Sequence, residues 1–482
     1  MNANIFKDEL DTDLSGKIIK AVKSLPRTQM KLKINLSFLR MSFMFALLFA
    51  VLAFMMPSKS FANTYPANWT MYAMNSDHNP VYENGSNLDV YWTVGVPGAI
   101  SAKMSKRAFK ERYFNPTTVR DIMGIPIGVS VVRGVVYVPS DNDYLYALNA
   151  KTGKLIWKFN ALNQLMGTPV VAHGIVYIGA GNSVFAYSHA IKFAEPHSHV
   201  IRGVDVSTYY ALNAKTGKLI WEYHTKGEDM PTPVYYHNKL IFGNGDGHIY
   251  GLNARTGKLL WKIYIRSFVS MSSATRYKNI VLTNGTHPNY FYAVNANTGK
   301  LIWKVKPAHC FSSSSGDGSP AVSKSGIVVN QIEIPGLTAG TSRSEEIALN
   351  ARNGHIIWKK ILGSGTVPPR NKDAVPMIHK GIIYTGSPVT KKGYAINLKT
   401  GKILWSKKLI RMKAAPVLLG YKVYFPTGNG TIFVLNKNNG HIISKYNAHN
   451  GGYGPQDAVI IGKTMIIGTN FGWVNAIPLS AL

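Results

Sequence analysis

The sequence predicts an all-β fold, an eight-bladed β-propeller of four-stranded antiparallel blades, and three observations carry that reading. A twelve-residue unit recurs seven times along the chain. Successive copies come as close as about 40 residues apart, the length of one four-stranded blade. One cysteine among 482 residues leaves the fold to its core, with no internal disulfide. A chain this long exceeds the usual single domain, and a repeat lets one architecture absorb it.

Ahead of the repeats, Lys31, Lys33 and Arg40 precede an apolar run from Met41 to Met56, followed by Ser60-Phe61-Ala62. A basic region, an apolar stretch and a small-x-small pattern are the parts of an export signal. Residues 1–62 are therefore expected to be removed, leaving 63–482 as a single propeller domain. A retained anchor is the alternative, since the run is only slightly shorter than the roughly 20 residues a span needs. A later start, at Met30 or Met41, is also compatible. Residues 41–65 contain no cysteine, so the signal lacks the attachment point of a lipoprotein.

The repeats read YALNAKTGKLIW ending at Trp157 and again at Trp221, YGLNARTGKLLW at Trp261, YAVNANTGKLIW at Trp303, IALNARNGHIIW at Trp358, YAINLKTGKILW at Trp405 and FVLNKNNGHIIS at Ser444. Their anchoring asparagines are Asn149, Asn213, Asn253, Asn295, Asn350, Asn397 and Asn436. Each unit opens with an extended stretch, headed by a proline at Pro169, Pro233, Pro320, Pro376 and Pro416. An apolar strand follows, then two strands joined by a Thr-Gly or Asn-Gly turn whose glycine permits positive φ. The tryptophan after the turn is read as a wedge between neighbouring blades. Asp457 to Leu482 forms an eighth unit that lacks the final Thr-Gly-Lys strand. The mature N-terminus, within Trp69 to Trp92, is expected to supply it and leave no free sheet edge in the ring.

In such blades the Thr-Gly turns share one face, and the two-to-three loops and blade-to-blade connections share the other. The insertions Val94 to Pro126, Ser188 to Ser207, Pro307 to Gly318 and Gln331 to Glu346 all fall on the second face, where loops on a rigid scaffold concentrate function. Three positions before each opening proline, at the mouth of the central channel, stand Met166, Met230, Asp317, Asp373 and Lys413, with Asp457 near the equivalent place in the last blade. Arg370, Lys372 and Arg411 lie just outside. Carboxylates among fixed cations suit activation of water beside a bound anion, whereas solvated loop charges are the plainer reading of any one of them. Asp317 stands apart, because Cys310 to Gly318 is a long loop of small residues. Mouth cations are expected to hold a neighbouring aspartate below the usual carboxylate range of about 3.9.

The whole chain has 54 Lys plus Arg against 23 Asp plus Glu, a formal charge of +31. The bases recur around the ring instead of forming one aromatic-interleaved stripe, which argues against nucleic acid as the partner and against one membrane-facing surface. Few carboxylates suit life in acid, with stability depending weakly on pH. His189, His197 and His199 share one insertion, but their spacing fits no strong ligand pattern and no metal is expected. Cys310, beside His309, has no identifiable His/Asp partner and reads as a small apolar residue. No phosphate loop, dinucleotide fingerprint or Gly-x-Ser-x-Gly is present.

The repeated A-x-N-x-x-T-G-x-x-x-W unit resembles the tryptophan-docking repeat of the pyrroloquinoline quinone (PQQ) propeller superfamily, over essentially all of the chain after the export segment. The resemblance implies a quinoprotein dehydrogenase-like fold. It leaves the activity open, because the superfamily holds dehydrogenases, assembly lipoproteins and hydrolases. The quinone-dependent dehydrogenases commonly carry two adjacent cysteines over the cofactor, a pair that Cys310 alone cannot form. What remains resembles the tetrathionate hydrolases of acidophilic sulfur-oxidising bacteria: a long region ahead of the signal, high basicity, scarce cysteine and a Ser-rich loop ending Gly316-Asp317-Gly318. That resemblance implies hydrolysis of the tetrathionate dianion to thiosulfate, sulfur and sulfate, outside the cytoplasm and without a cofactor. The family's catalytic aspartate maps onto Asp317, and Arg370, Lys372, Arg411, Lys413 and Asp373 form the expected substrate-binding surround. A PQQ-dependent dehydrogenase and a non-catalytic envelope scaffold are the alternatives; the first needs a quinone and calcium, the second an exposed apolar patch. Outer-membrane association and a homodimer are left open.

Overall fold

Short apolar runs bounded by Gly-containing turns become four strands per repeat in the computed structural model, which describes residues 68–82, 87–97, 128–193, 195, 198–307, 309–311, 314–368 and 373–482. The expected export segment lies outside these residues, as do Arg370, Lys372, His197 and most of the first insertion. In blade 1 the strands Ser130–Val132, Val135–Pro139, Tyr144–Asn149 and Leu155–Asn160 pair antiparallel in chain order. The same order recurs in blades 2 to 7, whose inner strands are Val170–Ala172, Val234–Tyr236, Thr275–Tyr277, Ala321–Val322, Met377–His379 and Val417–Leu419. Blade 8 carries Val459–Ile461, Thr464–Gly468 and Trp473–Pro478. Second and third strands are buried on both faces, while outer strands such as Leu155–Asn160 alternate with solvent.

The repeat explains its own residues. Asn149 Oδ1 accepts the backbone N–H groups of Lys151 at 2.9 Å and Thr152 at 3.1 Å, closing the turn with its side chain. Each blade then docks on the next. Trp157 Nε1 donates to the Ala214 carbonyl at 3.1 Å, Trp221 to Ala254 at 2.9 Å and Trp405 to Lys437 at 2.8 Å. The indole lies under the turn glycine of the following blade, so a Cβ on Gly440 (φ +69°) would sit 2.7 Å from Trp405. Glycine is needed there both for its conformation and for the close approach.

The ring closes through the N-terminal part, with a correction to its course. The added outer strand is Trp92–Gly95, paired antiparallel from Trp92↔Ala476 to Gly95↔Trp473. Trp92 Nε1 donates to Ala150 O at 3.0 Å and docks blade 8 on blade 1 in the same way. Residues Trp69–Tyr82, expected in the same outer strand, instead run around the axis. They reach an inner strand of every blade. The N–H groups of Val171, Tyr235, Val322, Ile378 and Ile460 donate to carbonyls of Trp69, Thr70, Ser76, Asp77 and Pro80 at 2.7–3.0 Å. The N–H of Leu418 donates to Asn79 Oδ1 at 2.9 Å, Thr275 Oγ1 to Met71 Sδ at 3.8 Å and Tyr82 Oη to Val131 O at 3.1 Å. Innermost strands have an unpaired edge facing the axis, and this segment satisfies it. Its contacts lie beside the one-to-two turns, so the channel is floored at the Thr-Gly face, with Trp69, Tyr72 and His78 buried.

The insertion at Gln331 to Glu346 is a second correction. It is not an irregular loop but a lengthening of two strands, Ile327–Pro335 and Thr341–Asn350. Alternation through Ile332, Glu333 and Ile334 continues the pleat, and all three are buried.

Candidate functional site

The candidate site lies on the loop face, and the short helix Ser314–Asp317 is held there by several contacts. Ser315 Oγ lies 2.7 Å from the Gly285 carbonyl and 2.8 Å from Asn289 Oδ1, and Asn289 Nδ2 donates to Phe311 O at 2.8 Å. The Met271 N–H donates to the Gly316 carbonyl at 3.1 Å. A Cβ on Gly316 would lie 2.8 Å from Thr286, and one on Gly318 would lie 3.2 Å from the Asp373 side chain. Close approach of blade 4 on one side and blade 6 on the other thus accounts for the small residues, and its effect is to fix the backbone that carries Asp317.

Asp373 is buried against this loop. Burial, and next the charge of Asp373, push the half-buried Cys310 thiol up to about 12. Gln331 ties the blade 6 entry to the lengthened strand: its Oε1 accepts the Ala374 N–H at 3.0 Å, while Nε2 donates to Gly386 O at 2.8 Å and Glu346 Oε2 at 3.1 Å. Glu346 is fully buried, and burial pushes its carboxyl up to about 8. On the far side of Asp373, the Val375 N–H donates to the Lys413 carbonyl at 2.9 Å. Two residues before Lys413, the Nε of half-buried Arg411 is enclosed without a hydrogen-bond partner among the described residues. The structure therefore gathers the Asp317 loop, Cys310 and Asp373, with Lys413 and Arg411 on the adjoining blade.

Asp457 behaves differently from the expectation. Its Oδ1 accepts the Ala415 N–H at 3.0 Å, and burial pushes it up to about 7, with Tyr72 of the axial segment and that N–H pulling the other way. The expected depression by cations does not occur here, because desolvation outweighs every favourable contact. Its acceptor role belongs to a ring that the sequence reading missed. The N–H of Thr168 donates to Thr232 Oγ1 at 2.8 Å, that of Thr232 to Ser273 Oγ at 3.1 Å and that of Ser273 to Ser319 Oγ at 3.0 Å. Hydroxyls at the entry to each inner strand thus stitch blades 2 to 5 at the mouth, directly before a proline at Thr168, Thr232 and Ser319 and before Ala274 at Ser273. The signal was the Thr-Pro and Ser-Pro dipeptides of blades 2, 3 and 5, one residue from the prolines rather than three. Met230, in the position expected at the mouth, is buried, and Met166 is partly covered.

Of the three histidines, the two among the described residues, His189 and His199, contact protein groups. His189 Nδ1 accepts the Ile201 N–H at 2.9 Å, and His199 Nδ1 contacts the Tyr264 hydroxyl. Among the described residues no group of three or more His, Cys, Asp or Glu side chains is placed to hold a metal.

Known proteins agree with this architecture. The profile of a family described as outer membrane protein assembly factor BamB matches residues 90–275, 188–303 and 272–472. A tetrathionate hydrolase of Acidithiobacillus ferrooxidans is 34% identical over 446 residues, covering 88% of this chain and 89% of that protein. One from Acidianus ambivalens is 34% identical over 389 residues, covering 75% and 72%. Among solved structures, BamB from Moraxella catarrhalis superposes with a TM-score of 0.53 at 16% identity, covering 73% of this chain and 96% of that one. The quinohemoprotein alcohol dehydrogenase ADHIIG of Pseudomonas putida HK5 gives 0.53 at 14% identity, covering 87% and 81%. Likeness at that level carries the fold alone. Identity of 34% sustained across nine-tenths of a relative carries more: the chain is a hydrolase on a PQQ-like propeller and belongs to the tetrathionate hydrolase family.

Proposed function

We propose that this protein hydrolyses tetrathionate with one water to thiosulfate, sulfur, sulfate and two protons, in acid and outside the cytoplasm once residues 1–62 are removed. The balance needs no redox partner, since the oxygen of water ends in sulfate and the four sulfurs divide among the three products. Asp317 takes the proton of the water that attacks a sulfur of the chain. Arg411 and Lys413, with Arg370 and Lys372, hold a terminal sulfonate and stabilise the departing anion. Asp373, buried beneath the loop, orients this surround. No quinone takes part. The chain's one thiol cannot form the adjacent-cysteine pair of the dehydrogenases, and burial keeps that thiol protonated.

The observation that carries the reading is the 34% identity, over 88% of this chain, to a protein named for this activity. The unpartnered, enclosed Nε of Arg411 supports it, because a buried donor is costly until an acceptor arrives. The test is thiosulfate and sulfate formation from tetrathionate by purified, cofactor-free protein at acidic pH. Wild type should turn over, and Asp317→Asn should lose at least about 100-fold in kcat, as expected for loss of a general base. Unchanged turnover in Asp317→Asn removes the base from the scheme; no turnover by folded wild type removes the function.

A further inference from the structure

A second concavity of about 870 Å³ opens on the loop face, outside the mouth, where the blade 2 insertion meets blades 3 and 4. Three permanent cations line it: Arg266 just past the outer strand of blade 3, and Lys304 and Lys306 at the end of the outer strand of blade 4. Glu195 is the one carboxylate among its described lining residues. None of the three cations forms an ion pair among the described residues; those formed there are Arg202–Glu228, His224–Glu222 and His248–Asp246. All three residues are exposed; cations converging on one hollow repel each other unless an anion joins them, and one anion held there collects the attraction of all three.

The fold itself does not ask for these charges. Arg266 (φ +64°) occupies the same left-handed bend after an outer strand that Leu162 (φ +62°) occupies in blade 1. Much of the remaining wall is aromatic, beside Ser198, Ile265 and Pro288. Tyr264, Tyr290 and His287 face the hollow, and Lys304 Nζ stands 5.2 Å from the Tyr290 ring centre. A small tetrahedral anion would leave such a space largely empty. A chain with anionic ends and a polarisable middle would place its charges on the cations and its sulfurs against the rings.

The hollow also backs onto the catalytic loop. His287, Pro288 and Tyr290 line it, and Asn289, between them, holds Ser315 and Phe311 of the Asp317 loop. We infer that this cleft is a second binding site, for a sulfur chain ending in sulfonates, which docks the substrate anion on the face where the channel opens. The chemical class rests on the function proposed above; the site as an anion site does not.

The test uses butane-1,4-disulfonate, a dianion that cannot be hydrolysed, titrated calorimetrically into the mature protein in acid at fixed ionic strength. Wild type should show two binding phases. Arg266→Gln/Lys304→Gln/Lys306→Gln should weaken one of them by about tenfold or more, the scale of losing charge-assisted hydrogen bonds. Lys215→Gln/Lys218→Gln, on exposed turn-face lysines, should leave both phases unchanged. Binding in the triple variant equal to wild type, or an equal loss in the turn-face variant, overturns the proposal. If wild type fails to split tetrathionate while the triple variant still loses a phase, the cleft stands and the proposed function falls.

Discussion

At the scale of single residues, environment separates acidic groups that look alike in the chain. Asp373 and Asp457 occupy related positions before their blades, yet Asp373 lies against Gly318 of the Asp317 loop while Asp457 joins blade 7 to blade 8 by accepting the Ala415 N–H. Cys310 reports on the first of these. Its thiol is pushed from 9.0 to about 12, first by burial and then by the Asp373 charge. At neutral pH its thiolate fraction is on the order of a thousandfold below that of a free cysteine, and alkylation follows the thiolate. Iodoacetamide should therefore modify Cys310 in the native protein far more slowly than in urea, and Asp373→Asn should speed the native reaction. A native rate close to that of glutathione would contradict this placement of the thiol. Arg411→Gln belongs to the same scale: removing the enclosed guanidinium should raise KM for tetrathionate by about tenfold, read from initial rates.

At the scale of elements, the docking of tryptophan on glycine sets how firmly one blade holds the next. Gly440 and Gly420 both have positive φ, +69° and +60°, but a Cβ on Gly440 meets Trp405 at 2.7 Å while one on Gly420 meets nothing within 4 Å. Gly420→Ala should cost about 1 kcal/mol, the strain alone. Gly440→Ala should cost about 2–4 kcal/mol, since overpacking adds to it. Urea unfolding of both variants checks the difference. This element was legible in the sequence because asparagine, turn, glycine and tryptophan recur with short local spacing. The axial segment was not. Trp69–Tyr82 has no periodicity of its own, and its partners are single edge groups on inner strands from Val131 to Ile460. Its apolar content therefore read as one more outer strand, whereas only Trp92–Gly95 takes that place. The lengthened strands of blade 5 were passed over because they exceed the repeat and looked like an insertion. In the site, the Asp317 loop stood out by its composition, but the side chain that braces it, Asn289, lies 26 residues ahead of Ser315 in the chain and carries no local signal.

At the scale of the molecule, scarcity of carboxylates led to the expectation of a weak pH dependence, and burial changes that. Several of the few acids are interior. Glu346 is pushed from 4.5 to about 8 and Asp457 from 3.8 to about 7, while Asp229 and Asp141 are also raised, all chiefly by burial. A carboxyl whose folded pKa exceeds its unfolded one favours the native state fully below the unfolded value. That contribution is lost as pH rises through the folded value. For Glu346 and Asp457 the window runs from about pH 4 to about pH 8, on the order of a few kcal/mol each. His78 opposes this: burial lowers it from 6.5 to about 4, so it contributes stability above about pH 6.5 that is lost as pH falls toward 4. Burial lowers His287 too, and these two imidazoles are outweighed by the carboxyls: Glu346 and Asp457 are each raised further from their ordinary values than His78 is lowered, with Asp229, Asp141, Asp77 and Glu345 adding to the same side. The fold should therefore be most stable in acid, with a urea midpoint that falls between about pH 4 and pH 8. Glu346→Gln keeps the shape and hydrogen bonding of the neutral acid but cannot ionise, so it should leave the midpoint at about pH 4 unchanged and raise it at about pH 8. A wild-type midpoint that rises with pH across this window, or a Glu346→Gln variant that loses stability equally at both ends of it, would mean that Glu346 is already ionised in the native state and that burial does not set the molecule's preference for acid.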